Sequence, residues 1–81
     1  MKIKYFAWIK DFTNKDYDII EKDHPKNIEE LKQTLIKLYP DLEKHISQNI
    51  LRYAVNLEYI SNNKNLSIAD EIAIFPQVSG G

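Results

Sequence analysis

Apolar and polar residues alternate over the first ten residues of the chain. One set of alternate positions is apolar and comprises Ile3, Tyr5, Ala7 and Ile9. The other set mixes cations with aromatic rings and comprises Lys4, Phe6, Trp8 and Lys10. Because side chains point to opposite faces along a β-strand, this period of two predicts a strand over residues 2–10. A turn at residues 11–15 and a second strand at residues 17–21 would complete a hairpin.

A helix is predicted in the next segment. Asn27 suits the N-cap position, and Glu30 follows at the spacing of a capping box. Apolar residues then recur at helical spacing, at Ile28, Leu31, Leu35, Leu38 and Tyr39. Pro40 should end the helix near Tyr39, because the residue before a proline is disfavoured in the helical conformation. We expect the three leucines to lie in the core.

Shorter helical and strand elements are predicted in the second half of the chain. Residues 41–49 indicate a short helical turn, and strands are predicted at residues 50–55, 58–60 and 72–75. Pro76 should end the last strand, because it has no N–H to donate to a ladder. This order is typical of the α+β class, a mixed sheet of four to five strands with one main helix packed across one face. Alternation turns Ile72 and Ile74 towards that helix and Ala73 and Phe75 away from it.

Composition excludes several classes of function. With 81 residues, 43% of them apolar, the chain is long enough for one domain with one core. It has no cysteine, which excludes disulfides, thiolate nucleophiles and zinc–thiolate sites. A formal charge of −1 gives no general attraction to nucleic acid or anionic lipid, so we expect neither as a partner. No signal-peptide pattern follows Met1, and we expect a cytoplasmic protein.

Side chains with metal-binding or catalytic chemistry do not form recognisable sets. His24 and His45 have no second ligand at a spacing useful for zinc, and both are expected at the surface. The acidic residues in and around the second strand are expected to form a solvated face; they are Asp16, Asp18, Glu21 and Asp23. The serines have no His–acid partners, and there is no glycine-rich phosphate loop. We therefore expect no metal and no cofactor bound by this chain.

The only two glycines of the sequence are its last two residues, Gly80 and Gly81, which follow Ser79. Average glycine usage of about 7% makes such a pair an uncommon accident. A glycine tail has no Cβ and can thread a narrow channel, with its carboxylate accessible from all sides. That carboxylate could be activated as an acyl-adenylate by a partner and then attacked by a sulfur nucleophile, giving a thiocarboxylate. We predict a domain at residues 1–75 and a flexible tail at residues 76–81.

The segment 70–81 resembles the C-terminal signature of the small subunit of molybdopterin synthase. That signature is an Asp-Glu turn, an apolar strand ending in Phe-Pro, and Val-x-Gly-Gly. Ala54-Val55-Asn56 and the early Phe6-Ala7 are also similar to the family, and the resemblance covers the whole chain. Gln77 replaces the second proline that is usual in the family, and Ala69 stands where a turn glycine is common.

The resemblance implies a ubiquitin-like β-grasp roll with the first and last strands central and parallel. It also implies a sulfur carrier for molybdenum cofactor biosynthesis that is not an enzyme on its own. An adenylating enzyme would use ATP to activate the carboxylate of Gly81, and a sulfurtransferase would supply sulfur. The tail would then donate sulfur to cyclic pyranopterin monophosphate inside the large subunit of the synthase. Two small and two large subunits would make up the complex.

The residues expected to contact partners lie near the tail. Phe6, Phe75 and Tyr59 would share the face of the sheet that the helix leaves open, and exposed aromatic rings rimmed by lysines are typical of an interface. Trp8 would either join this interface or only cover the edge of the sheet. The resemblance matches four residues to positions where the family meets its large subunit, namely Phe6, Lys10, Tyr59 and Phe75. The tail residues expected to enter that subunit are Pro76, Val78, Ser79, Gly80 and Gly81.

Three other functions stay open at this point. A sulfur carrier for the thiazole of thiamine shares the fold and the Gly-Gly end, but usually lacks a Phe-Pro-x-Val tail like that of residues 75–78. A protein modifier would pass through the same acyl-adenylate and join Gly81 to lysines of target proteins. A ubiquitin-like domain without acyl chemistry is the third, because a fold does not determine a function.

Overall fold

A computed structural model describes residues 1–77 as a five-stranded mixed sheet with helices. The strands are β1 (Lys2–Tyr5), β2 (Tyr17–Ile19), β3 (Leu51–Val55), β4 (Glu58–Ile60) and β5 (Glu71–Pro76). The helices are α1 (Lys10–Thr13), α2 (Ile28–Leu38) and α3 (Glu43–Ser47), with 3₁₀ turns at Ala7–Ile9 and Pro40–Leu42. The strand order is β2-β1-β5-β3-β4; β1 and β5 are parallel and all other neighbours antiparallel. The predicted α+β class is confirmed.

Helix α2 begins and ends where the sequence predicted. The side-chain oxygen of Asn27 accepts a hydrogen bond from the backbone N–H of Glu30 at 2.9 Å, which makes Asn27 the N-cap. The carboxylate of Glu30 reaches back to the N–H of Lys26, one residue earlier than in a capping box. Pro40 follows the helix and opens a 3₁₀ turn. Within residues 1–77, no helix is long and apolar enough to cross a membrane.

The core lies between α2 and one face of the sheet. The helix buries Ile28, Leu31 and Leu35. The sheet buries alternate residues of three adjacent strands, which are Ile3, Tyr5, Leu51, Tyr53, Val55, Ile72 and Ile74. Burying each aliphatic or aromatic side chain stabilises the fold by about 1.5–3 kcal/mol. Contact between the apolar side of α2 and the apolar face of the sheet therefore holds the domain together without any disulfide.

The prediction that Leu38 lies in the core is wrong. Its side chain is 48% exposed, although it continues the helical spacing of Leu31 and Leu35. The chain leaves the helical conformation at Tyr39, which has φ −135°. The ring of Tyr39 packs edge-on against Tyr5 with 5.8 Å between centroids, so the tyrosine covers this end of the core instead.

The first strand is much shorter than predicted, because it ends at Tyr5 rather than near Lys10. Ala7 adopts a positive φ of 55°, which turns the chain out of the sheet and into a 3₁₀ turn followed by α1. Ile9 and Thr13 are both buried and stand four residues apart, a helical spacing hidden under the alternating pattern. The strand prediction for residues 6–10 was wrong because a period of two and a helical turn both fit so short a segment.

Three aromatic rings pack together where this turn meets α3. Trp8 and Phe12 have centroids 5.9 Å apart, and the ring of His45 lies 5.0 Å from Trp8 and 5.1 Å from Phe12. The Nδ1 atom of His45 is buried and has no hydrogen-bond partner among the described residues. His45 is therefore a packing residue rather than the plain surface residue that the sequence suggested.

Asp18 joins β2 to β1 and to the end of α2. Its carboxylate accepts hydrogen bonds from the hydroxyls of Tyr5, at 2.7 Å, and Tyr39, and from Nζ of Lys15 at 3.1 Å. Burial opposes ionisation of the carboxyl, but these three hydrogen bonds outweigh it and lower the pKa of Asp18 below its ordinary value of 3.8. Burial and the bond to Asp18 raise the pKa of both tyrosines, so they stay donors. The solvated-face expectation is wrong for Asp18.

Replacing Asp18 with Asn should destabilise the protein by about 1–3 kcal/mol at neutral pH, because the hydroxyls of Tyr5 and Tyr39 lose a charged acceptor. A carboxyl whose folded pKa is depressed stabilises the fold above its unfolded pKa and stops doing so as the pH falls through the folded pKa. Urea unfolding of wild type and Asp18→Asn from neutral to strongly acidic pH should therefore give curves that converge in acid. Asp16→Asn is the matched control, since its side chain is 81% exposed. Parallel curves for wild type and Asp18→Asn at all pH values would contradict this account.

Candidate functional site

One face of the sheet is not covered by a helix in the described part of the chain. On β1, β3 and β5 its residues alternate with residues of the core, and on β2 and β4 they are the residues that pair with these alternate positions across the sheet. They are Lys2 and Lys4 on β1, Tyr17 and Ile19 on β2, Arg52 and Ala54 on β3, Tyr59 on β4, and Glu71, Ala73 and Phe75 on β5. We call this set the open face. An uncovered face with several aromatic and aliphatic side chains is typical of a protein-binding surface.

The clearest aromatic contact on the open face joins Phe75 to Tyr59. Their ring centroids are 5.3 Å apart and the ring planes meet at 87°, an edge-to-face arrangement. The small side chain of Ala54 lies between β4 and β5, opposite both Tyr59 and Ala73, and leaves room for this contact. Tyr59 remains 70% exposed. The expectation that Phe75 and Tyr59 share this face is thus met by a direct contact.

Phe6 lies just past the end of β1, beside β5. Its backbone N–H donates to the carbonyl of Ile74 at 3.0 Å, which continues the parallel ladder by one residue. The side chain is 42% exposed, and Nζ of Lys4 lies 5.9 Å from the centroid of its ring. Phe6 therefore sits one strand away from Phe75, near the point at which β5 ends.

Lys10 and Trp8 do not lie on the open face, because the strand predicted to carry them is a helical turn. Lys10 is on α1, with Nζ 3.8 Å from a carboxylate oxygen of Asp16. Trp8 packs against Phe12 and His45. The placement of Trp8 on the sheet with Phe6 is wrong, whereas the partner role predicted for Lys10 stays a prediction about a residue outside the sheet.

The chain leaves the sheet at the end of β5. Pro76 is opposite Leu51, and the backbone N–H of Gln77 donates to the carbonyl of Ile50 at 2.8 Å. Ile50 in turn donates from its N–H to the carbonyl of His45. The strand thus runs one residue further than predicted, and the start of the predicted tail is bonded to the segment before β3.

The rest of the predicted tail lies outside the described residues. Those predictions concern Val78, Ser79, Gly80 and Gly81. The parallel pairing of β1 and β5 places Pro76, the last residue of β5, at the same edge of the sheet as Phe6. Phe6 and Phe75 therefore flank the exit of the chain.

The net charge of the open face is more positive than the net charge of the whole chain. The face carries Lys2, Lys4 and Arg52 against one carboxylate, Glu71, on a chain with a formal charge of −1. Lys4 and Glu71 form an ion pair at 3.4 Å. The ammonium of Lys2 lies 4.6 Å from the ring centroid of Tyr17. Sequence reasoning did not assign Arg52 or Lys2 to the site, because only the register of the strands brings them to the same face.

The described residues include no cluster of side chains suited to a metal ion. Within residues 1–77, no group of three or more His, Cys, Asp or Glu side chains is placed to hold a metal ion. His24 has only the ammonium of Lys26 near its Nδ1, at 3.3 Å. The exposed aromatic rings of the open face are suited to binding another protein beside the exit of the chain.

Known proteins resemble this chain over nearly all of its length. The sequence pattern of the ThiS family matches residues 3–81. The molybdopterin synthase sulfur carrier subunit of Dictyostelium discoideum is 37% identical over 83 aligned positions, which cover 99% of this chain and 94% of that protein.

Solved structures share the fold. Molybdopterin converting factor subunit 1 of Pyrococcus furiosus, 24% identical, superposes with a TM-score of 0.80 over 95% of each chain. SAMP1 of Haloferax volcanii, 22% identical, gives 0.78 over 99% of this chain and 97% of its own. A complex of subunits 1 and 2 of molybdopterin-converting factor from Helicobacter pylori contains a chain that is 21% identical, with a TM-score of 0.64 over 99% and 96%. The likeness confirms the β-grasp arrangement, and by its sequence the chain belongs to the ThiS family.

Proposed function

We propose that this chain is the sulfur carrier subunit of a molybdopterin synthase. The observation that carries the proposal is the 37% identity to a molybdopterin synthase sulfur carrier subunit over 99% of the chain. The Phe-Pro-x-Val-x-Gly-Gly end agrees with it, and the aromatic contact between Phe75 and Tyr59 lies on the strand that leads into that end.

The reacting group in this proposal is the carboxylate of Gly81. An oxygen of the carboxylate attacks the α-phosphorus of ATP in an adenylating partner, and pyrophosphate leaves. The terminal sulfur of a persulfide on a sulfurtransferase then displaces AMP from the acyl-adenylate, and a thiol cleaves the resulting acyl disulfide, which releases the thiocarboxylate and leaves a disulfide. This chain binds no cofactor, and it is not an enzyme on its own, because ATP and the catalytic side chains belong to its partners.

The large subunit of the synthase is the partner that accepts the charged tail. The 37% identity to a protein named as a subunit of molybdopterin synthase supports such a partner. Pro76, Val78, Ser79 and Gly80 would enter its active site with Gly81, where sulfur passes to cyclic pyranopterin monophosphate. Phe6, Tyr59 and Phe75 would form the apolar centre of the contact, with Lys10 at its margin. Cytoplasmic localisation, expected from the sequence, is part of the same proposal.

The alternatives have weaker support. The Phe-Pro-x-Val segment at residues 75–78 favours the molybdopterin pathway over the thiamine pathway. Likeness to SAMP1 at 22% identity is a likeness of fold, so it does not argue that Gly81 is joined to other proteins.

Replacing Phe75 with Ala should weaken binding to the purified large subunit by about tenfold or more, because an aromatic ring at the centre of a contact carries much of its binding energy. Isothermal titration calorimetry measures the effect. Ile19→Ala is the control, since Ile19 is an exposed apolar residue at the far edge of the same face. Equal affinities for wild type and Phe75→Ala would remove Phe75 from the contact.

Deleting Gly81 should abolish sulfur transfer while leaving folding and large-subunit binding intact. The assay contains the large subunit, the adenylating enzyme, ATP, a sulfur source and cyclic pyranopterin monophosphate, and it measures formation of the dithiolene product. Thermal unfolding and the binding assay provide the controls. Product formation at the wild-type rate by the shortened chain would refute the proposed function.

A further inference from the structure

A cleft opens between the first turns of α2 and the edge of the sheet formed by β3 and β4. Its volume is about 470 Å³, within the rough range of 300–1,000 Å³ typical of small-molecule and side-chain pockets. It exists because β4 is short: β4 pairs only with Tyr53–Val55, so that β3 runs two residues beyond the pairing. Ile28 and Leu51 contribute apolar walls.

Cations outnumber carboxylates among the side chains that line the cleft. Arg52, Lys32 and Tyr53 all line it. Nη1 of Arg52 donates to the carbonyls of Asn49, at 2.9 Å, and Leu51, at 3.0 Å, which fixes the guanidinium in place. The hydrogen bonds of residues 1–77 leave its Nε and Nη2 available, and this pair of donors matches the two oxygens of a carboxylate.

Lys32 adds a second cation to the cleft, and Glu29 is the one carboxylate among its described lining residues. Nζ of Lys32 lies 5.9 Å from the ring centroid of Tyr53 and 3.5 Å from a carboxylate oxygen of Glu29. Because the Glu29 side chain is 63% exposed, solvent weakens that ion pair. Burial, aided by the charge of Glu29, raises the pKa of Tyr53 to about 12, so its hydroxyl stays a donor at neutral pH.

The N-terminus of α2 does not supply the binding groups. Its first amides already donate to the carbonyl of Lys64 and to the side-chain oxygens of Asn63 and Asn27. Recognition of an anion in the cleft therefore falls to side chains, and chiefly to Arg52.

The cleft is continuous with the open face. Tyr59 lines the cleft and also contacts Phe75, while Arg52 is paired with Phe75 across the sheet. A partner that covers Phe75 and Tyr59 would therefore also contact the opening of the cleft, because Tyr59 belongs to both surfaces. We propose that the cleft receives an aspartate or glutamate side chain of the molybdopterin synthase large subunit, which pairs with Arg52. This inference rests on the proposed function and adds a charged anchor to the aromatic contact.

Replacing Arg52 with Glu tests the anchor, because it places a negative charge where the carboxylate should bind. The dissociation constant for the purified large subunit should rise about tenfold or more, while raising the salt concentration should weaken wild-type binding and leave the variant almost unaffected. Lys37→Glu is the matched control, since it makes the same charge change on an exposed part of α2 away from the cleft. Its affinity should stay close to that of wild type. Surface plasmon resonance at low and high salt gives these values, and thermal unfolding checks that each variant folds.

The outcomes separate this inference from the proposed function. If Phe75→Ala weakens binding and Arg52→Glu does not, the aromatic contact stands and the charged anchor is refuted. If Arg52→Glu impairs adenylation of the chain but not binding to the large subunit, the cleft serves the adenylating enzyme and the proposed occupant is wrong. If the wild-type chain does not bind the large subunit at all, the proposed function and this inference are both refuted.

Discussion

The parallel pairing of β1 with β5 is the interaction on which the rest of the domain depends. It joins the first strand of the chain to the last. The segments that form α2, β3 and β4 lie between these two strands in the sequence. It also fixes direction, because parallel strands end at the same edge of a sheet. The end of β1 and the exit of the chain after β5 therefore lie side by side. Phe6 and Phe75 flank this exit for the same reason, although 68 residues lie between them in the sequence.

A carrier built in this way needs little chemistry of its own. The described residues present a surface, with aromatic rings on β4 and β5 and cations on β1 and β3. In the proposed function the reacting carboxylate lies beyond that surface, and the surface decides which partner may act on it. In this proposal, the aromatic contact provides affinity, and charge in the cleft beside Tyr59 provides discrimination between partners. Such a division explains why a chain without cysteine is suited to sulfur transfer.

The elements that could be predicted from the sequence are those specified by local signals. Asn27 and Pro40 define the two ends of α2 because capping and the lack of a proline N–H act within a few residues. The strand at residues 58–60 was predicted with the same bounds as β4. Residues 6–10 were misassigned because their alternation also fits a helical turn, and only the positive φ of Ala7 distinguishes the two.

Parts of the site depended on contacts between distant residues and could not be predicted. Phe75 and Tyr59 were identified by alternation within their own strands. Arg52 was not predicted as a site residue. Its place in the cleft depends on the short pairing of β4 with β3 and on the backbone carbonyls that hold its guanidinium. The sequence predicts a solvated Asp18, since nothing near it in the sequence shows that the hydroxyls of Tyr5 and Tyr39 donate to its carboxylate.

The central claim is that the carboxylate of Gly81 carries sulfur. The most direct test is the intact mass of the full chain after incubation with the adenylating enzyme, ATP and a sulfur source, compared with a sample without ATP. The account predicts an ATP-dependent gain equal to the replacement of one oxygen by one sulfur, with the gain located in the C-terminal peptide. An unchanged mass, or a ladder of larger species in which the chain is joined to other proteins, would contradict it.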